Sequence, residues 1–100
     1  MPFVLKFTTD AKARLHGLEH DADKKDLVKF KRIRSCVGKL QLNPRHPGLN
    51  SHRFEELKGP GGEDVWESYV ENKAPAAWRV FWHYGPGQAC ITVIAITPHP

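Results

Sequence analysis

Trp78-Arg79-Val80-Phe81-Trp82-His83-Tyr84, Gly85-Pro86-Gly87-Gln88 and Ala89-Cys90-Ile91-Thr92-Val93-Ile94-Ala95-Ile96 form the continuous stretch that decides the fold. Two runs of β-branched and aromatic residues flank a connection of glycine and proline, which predicts a β-hairpin. Both runs are apolar at successive positions, hence on both faces, so central strands covered from each side are expected. Arg79 and His83 interrupt the first run. Four residues apart on a strand, they share a face, with Phe81 between them. Burying a guanidinium carries a desolvation cost, so Arg79 needs a partner or a task.

Upstream, Pro2-Phe3-Val4-Leu5-Lys6-Phe7 predicts a short opening strand. Thr8, Thr9 and Asp10 offer N-caps for a first helix, in which Ala11, Leu15 and Leu18 recur at helical spacing and which ends near 17–20. A longer helix over about 23–42 sets Leu27, Phe30, Ile33, Val37 and Leu40 on one stripe. Its other faces carry Lys24, Lys25, Lys29, Lys31, Arg32, Arg34 and Lys39, a basic surface suited to steering toward RNA or simply to solvation. Asn43-Pro44-Arg45-His46-Pro47-Gly48 stops that helix. Strands are expected over 51–57 and 65–71, on either side of a turn at Lys58-Gly59-Pro60-Gly61-Gly62. The sum is one α+β domain over 1–100. A short N-terminal strand and two helices packed on one side of the sheet precede a mainly antiparallel four-strand segment ending in the hairpin.

The 40% hydrophobic and 26% charged content belongs to an ordinary soluble domain. The longest apolar run, 91–96, is strand-sized, and no membrane partner is expected. Fifteen Lys+Arg against eleven Asp+Glu give a net +4, which permits a polyanionic partner without requiring one. Cys36 and Cys90 fall in separate predicted elements and no secretory signal precedes them, so reduced, buried thiols and a cytoplasmic location are expected. His16 and His20 have the spacing of a two-histidine ligand pair, but no HExxH motif or cysteine cluster accompanies them. No metal site and no cofactor are expected. Phosphate-loop, dinucleotide and Gly-x-Ser-x-Gly fingerprints are absent from the sequence.

Several local matches fall in this order along the chain: Asn43-Pro44-Arg45 with Leu49, Leu57-Lys58-Gly59, the strand around Trp66 to Val70, Trp78-Arg79-Val80-Phe81, and a last apolar strand running into His99. In that order and spacing the chain resembles the RelE/ParE superfamily, the toxins of type II toxin–antitoxin pairs, over essentially its whole length. The resemblance implies a toxin neutralised by a cognate antitoxin in a hetero-oligomer. Most members cleave mRNA on the ribosome without a metal, and a ParE-like branch instead inhibits DNA gyrase.

Metal-free RNA cleavage needs a base for the 2′-hydroxyl, positive charge at the phosphate and an acid for the 5′-oxygen. Arg79 matches the family's catalytic strand arginine, and its planar fork suits phosphate oxygens. His99 matches a C-terminal histidine or tyrosine used as acid or base. Lys58 matches a basic position that holds phosphate or assists proton transfer. His83, Tyr69 and Tyr84 are weaker candidates for substrate contact, with packing as the competing role. Glu55 and Glu56 lie near the expected cleft, and neither aligns on the base used by some members. The strand Trp66-Glu67-Ser68-Tyr69-Val70-Glu71 carries two acids where well-matched nucleases carry bases, and Thr97-Pro98 precedes His99 in place of arginine or lysine. A gyrase-type binder and an inactive interaction module therefore stand beside the nuclease reading.

Overall fold

A computed structural model of the chain describes residues 2–20, 24–71 and 77–98. The elements run β1 (Val4–Phe7), α1 (Thr9–His20), α2 (Lys24–Leu42), a 3-10 turn (Pro47–Leu49), β2 (His52–Lys58), β3 (Asp64–Tyr69), β4 (Trp78–Tyr84) and β5 (Cys90–Pro98). The expected α+β order holds. The five strands form one sheet in the order β1-β5-β4-β3-β2, with β1 parallel to β5 and the other neighbours antiparallel.

The start of α1 shows how the sequence joins helix to sheet. Thr8 Oγ1 accepts the Ala11 N–H at 3.2 Å, the N-cap role expected of it. The same hydroxyl donates to the Ile94 carbonyl at 2.9 Å, and Thr8 N–H donates to the Val93 carbonyl at 3.0 Å. Ile94 is the extra residue of a β-bulge: Phe81 pairs with Ala95 and Trp82 with Val93. The bulge therefore turns a carbonyl toward the helix cap.

The helices cover one face of the sheet. Ala11, Leu18, Ile33, Cys36, Val37 and Leu40 pack there against Val80, Trp82, Ile91, Val93 and Ile96. Each such aliphatic side chain stabilises the fold by roughly 1.5–3 kcal/mol relative to exposure. The stripe on α2 begins later than its spacing predicts, because Leu27 is 40% exposed and Phe30 is only half-buried. Cys36 and Cys90 are both buried and free, on α2 and β5. β4 is buried along Arg79–His83 on both faces, as its doubly apolar sequence requires. Among the described residues, no helix is long and apolar enough to cross a membrane.

Candidate functional site on the open face of the sheet

Alternation along β4 sends Val80 and Trp82 to the helix side and Arg79, Phe81 and His83 to the opposite, open face. β3 adds Glu67 opposite Phe81 and Tyr69 opposite Arg79. β2 adds His52 opposite Glu67, and the Phe54 ring meets Phe81 edge-on at 5.0 Å. The open face thus has an aromatic centre with polar groups at its two ends.

At one end Arg79 is 6% exposed. Its Nη1 donates to the Ala77 carbonyl at 2.7 Å, and its guanidinium carbon lies 3.8 Å from the Tyr69 ring centroid. Neither Glu67 nor Glu71, the carboxylates nearest in the neighbouring segment, pairs with Arg79. Glu71 pairs with Lys29 and Arg32 of α2, and Glu67 pairs with His52. Backbone carbonyls and an aromatic face hold the guanidinium instead, which leaves its charge unneutralised by a carboxylate among the described residues. Nε is buried and carries no hydrogen bond. The guanidinium is fixed on the Ala77 side, and its Nε is shut off from solvent.

Next to it, Glu67 is 1% exposed, and its carboxylate meets His52 Nε2 at 2.6 Å. The other ring nitrogen of His52 faces the Asn50 carbonyl at 3.3 Å, and the ring meets Tyr69 edge-on at 5.6 Å. Both imidazole nitrogens therefore face acceptors. Arg79, Tyr69, His52 and Glu67 form one contact chain across β4, β3 and β2. Sequence reasoning missed His52 and placed no function on Glu67. Only the β2–β3 register brings those two together, and an irregularity between Arg53 and Lys58 conceals that register from strand counting.

The remaining candidates lie elsewhere. His83 shares the Arg79 face, as expected, but is 3% exposed, and its Nδ1 donates to the Tyr84 carbonyl at 2.7 Å. Glu63 Oε2 lies 4.0 Å from the same nitrogen. The Glu63 carboxyl is held below its ordinary pKa by its own backbone N–H and that of Gly61. Lys58 pairs with Asp64 at 2.6 Å, and its hydrogen bond lowers the Asp64 pKa. Asp64 and Tyr69 are the two ends of β3, about 16 Å apart at the rise of an extended strand. The structure therefore does not bring Lys58 to Arg79. Tyr84 points to the helix side of the sheet, 41% exposed, its ring 5.0 Å from Trp82. Glu55 and Glu56 are exposed on β2. His99 lies outside the described residues.

No protein-family model and no curated protein matches the chain. Solved structures do. The archaeal RelE–RelB complex from Pyrococcus horikoshii OT3 superposes with a TM-score of 0.65 at 15% identity, over 98% of this chain and 96% of that one. The YoeB/ParE toxin from Agrobacterium tumefaciens gives 0.68 at 13% identity, over 97% and 99%. The YoeB dimer from Staphylococcus aureus gives 0.62 at 13% identity, over the full length of both chains. At such identities the likeness is one of architecture, and it spans the whole domain. Strand, two helices and a curved run of four strands, in that order and over that length, give this chain the fold of the RelE, YoeB and ParE toxins.

Proposed function

We propose that the chain is the toxin of a type II toxin–antitoxin pair and a metal-independent endoribonuclease that cleaves mRNA, on the ribosome. The observation that carries this reading is the state of Arg79. Its guanidinium is pinned by the Ala77 carbonyl and the Tyr69 ring, while Nε has no partner. A cation held in place before the reaction is suited to a phosphate whose charge grows in the transition state, because little reorganisation is left to do during the reaction. The imidazole of His52, held between Glu67 and the Asn50 carbonyl, stands on the same face.

In this mechanism the 2′-hydroxyl attacks the neighbouring phosphorus and the bond to the 5′-oxygen breaks. Arg79 stabilises the phosphoryl oxygens. His99, by its match to the family position, transfers a proton as acid or base. Lys58 assists through its charge from the far end of the sheet. The partners are mRNA, the ribosome and a cognate antitoxin. The RelE–RelB pairing of the Pyrococcus structure supports the last of these.

One observation favours a second reading. The open face has an aromatic centre, Phe54 against Phe81, and a buried carboxylate, Glu67, beside its main cation. That surface suits a protein target such as gyrase better than a polyanion. Induced expression of wild type and Arg79→Ala in a bacterial host, with mapping of mRNA 5′ ends, separates the two. New ends and growth arrest that both disappear in the variant support the nuclease. Arrest with intact mRNA supports the protein target, and no arrest in either supports an inactive interaction module.

A further inference from the structure

On the helix side of the sheet, away from Arg79, the chain leaving α2 stands off from the sheet and encloses a cavity of about 350 Å³. Its walls include Trp66 and Tyr84, and its rim includes Arg45, His46 and Asn50. We propose that this cavity is a binding site for a 5′-nucleotide unit, with the base against the aromatic wall and the phosphate on Arg45.

Three features select that chemistry. The first is the wall. Trp82 and Trp66 lie nearly parallel, with centroids 6.1 Å apart and planes at 22°, and the Tyr84 ring stands edge-on to Trp82. The polar edge of Trp82 is turned away, because its Nε1–H donates to Ser68 Oγ at 2.7 Å. The cavity therefore meets aromatic carbon, and the 41% exposure of Tyr84 leaves ring surface available to a flat ligand. Bases stack on such rings whatever their sequence.

The second feature is an excess of donors. Arg45 is exposed, and its guanidinium forms no ion pair among the described residues. His46 Nδ1 accepts the Gly48 N–H at 2.9 Å, so in the neutral ring the proton sits on Nε2. Arg45, His46 and the amide of Asn50 all offer hydrogens, which matches the acceptor-rich edge of a base and the oxygens of a phosphate. The third feature is size, since the volume lies at the lower end of small-ligand pockets and suits one nucleotide. An apolar side chain from a protein partner would fill the wall and leave the donors unused.

The site does not depend on RNA cleavage, and the test keeps the two apart. Adenosine 5′-monophosphate is titrated into the full chain, with tryptophan fluorescence and calorimetry as readouts. Wild type and Arg79→Ala are expected to show the same saturable change. Tyr84→Ala and Arg45→Ala should each weaken binding roughly tenfold, the loss expected for one stacking or phosphate contact. Tyr84→Phe keeps the ring and should bind like wild type, which controls for misfolding. A hexamer of adenylate that binds tighter than the monophosphate, and loses affinity with salt, identifies an RNA strand as the source. Equal affinity identifies a free nucleotide. The proposal is overturned by no saturable change up to about 10 mM nucleotide, on the order of the weakest specific contact worth the name, or by binding unaltered in both alanine variants. It is also overturned if an acidic peptide bearing one phenylalanine occupies the site while the nucleotide does not.

Discussion

The guanidinium of Arg79 lies flat enough on the ring of Tyr69 to bring its carbon within 3.8 Å of the centroid, while its Nη1 donates to the Ala77 carbonyl. Strand pairing sets this contact, since Arg79 and Tyr69 face each other across β4 and β3. Lysine cannot reproduce the planar stack or the divided donor sets. In a cleavage assay Arg79→Lys should therefore lose about a hundredfold or more, close to Arg79→Ala. Tyr69→Phe should remain near wild type, and Tyr69→Ala should fall roughly tenfold through loss of the cation–π contact. A Tyr69→Ala enzyme as active as wild type would remove the ring from the mechanism.

Lys58 should matter much less than Arg79. It is tied to Asp64 at the other end of β3, so on the nuclease reading its charge reaches the phosphate only through solvent. Lys58→Ala should change the cleavage rate by no more than roughly fivefold, and the difference should shrink as salt is raised. A loss equal to that of Arg79→Ala would show that the two groups meet on the substrate.

His52 and Glu67 should be coupled in stability. His52→Ala strips a nearly fully buried carboxylate of its imidazole partner, at a cost of about 1–3 kcal/mol. Adding Glu67→Gln to that variant removes the charge and should recover part of the loss. Urea unfolding of the two single variants and the double variant measures this. Strictly additive effects would mean that the pair is incidental.

Cys36 gives the fold an alkaline limit. Burial raises its thiol from 9.0 to about 12. The unfolded chain releases this proton first, so the contribution is complete below pH 9.0 and is lost as pH rises toward 12. Wild type should thus lose stability relative to Cys36→Ala between those limits. The native thiol should also resist iodoacetamide at pH 8 and react in urea. Rapid native alkylation would contradict the burial.

Glu71 gives an acidic counterpart. Its hydrogen bond from Lys29, with Arg32 adding to it, holds the carboxyl below its ordinary 4.5 and ties the end of the third strand to α2. A lowered native pKa stabilises above 4.5 and fades as pH falls through the native value. Glu71→Gln should cost less than about 1 kcal/mol at pH 7. The two proteins should then converge in strongly acidic solution, and a constant difference down to pH 2 would assign the effect to packing.

The parts legible in the sequence are those set by local periodicity. The 78–96 hairpin, the α2 stripe from Ile33 onward and the shared face of Arg79 with His83 all follow from spacings of two or three to four residues. What escaped depends on pairing between distant segments. β1 lies parallel to β5, more than eighty residues away, and no local signal announces that partner. The 3-10 turn at Pro47–Leu49 was read as plain connection. His52 looked like an unremarkable strand residue until the register set it on Glu67, and the family match named Lys58 without saying how far it lies from Arg79. Tyr84 was a candidate for substrate contact or packing, and its even parity with Trp82 puts it on the side away from Arg79.

The strand order carries a consequence for timing. β5 follows every other strand in chain order, yet it sits between β1 and the central strand β4. While it is still being synthesised, β1 has no neighbour and β4 has a bare inner edge. The pairing that fixes Thr97 beside Arg79 cannot form. Pairing of β1 with β5 must wait until β5 has been made, and closing so long a separation is slow. Until β5 pairs, the open face is unfinished and β4 keeps a bare edge beside Arg79.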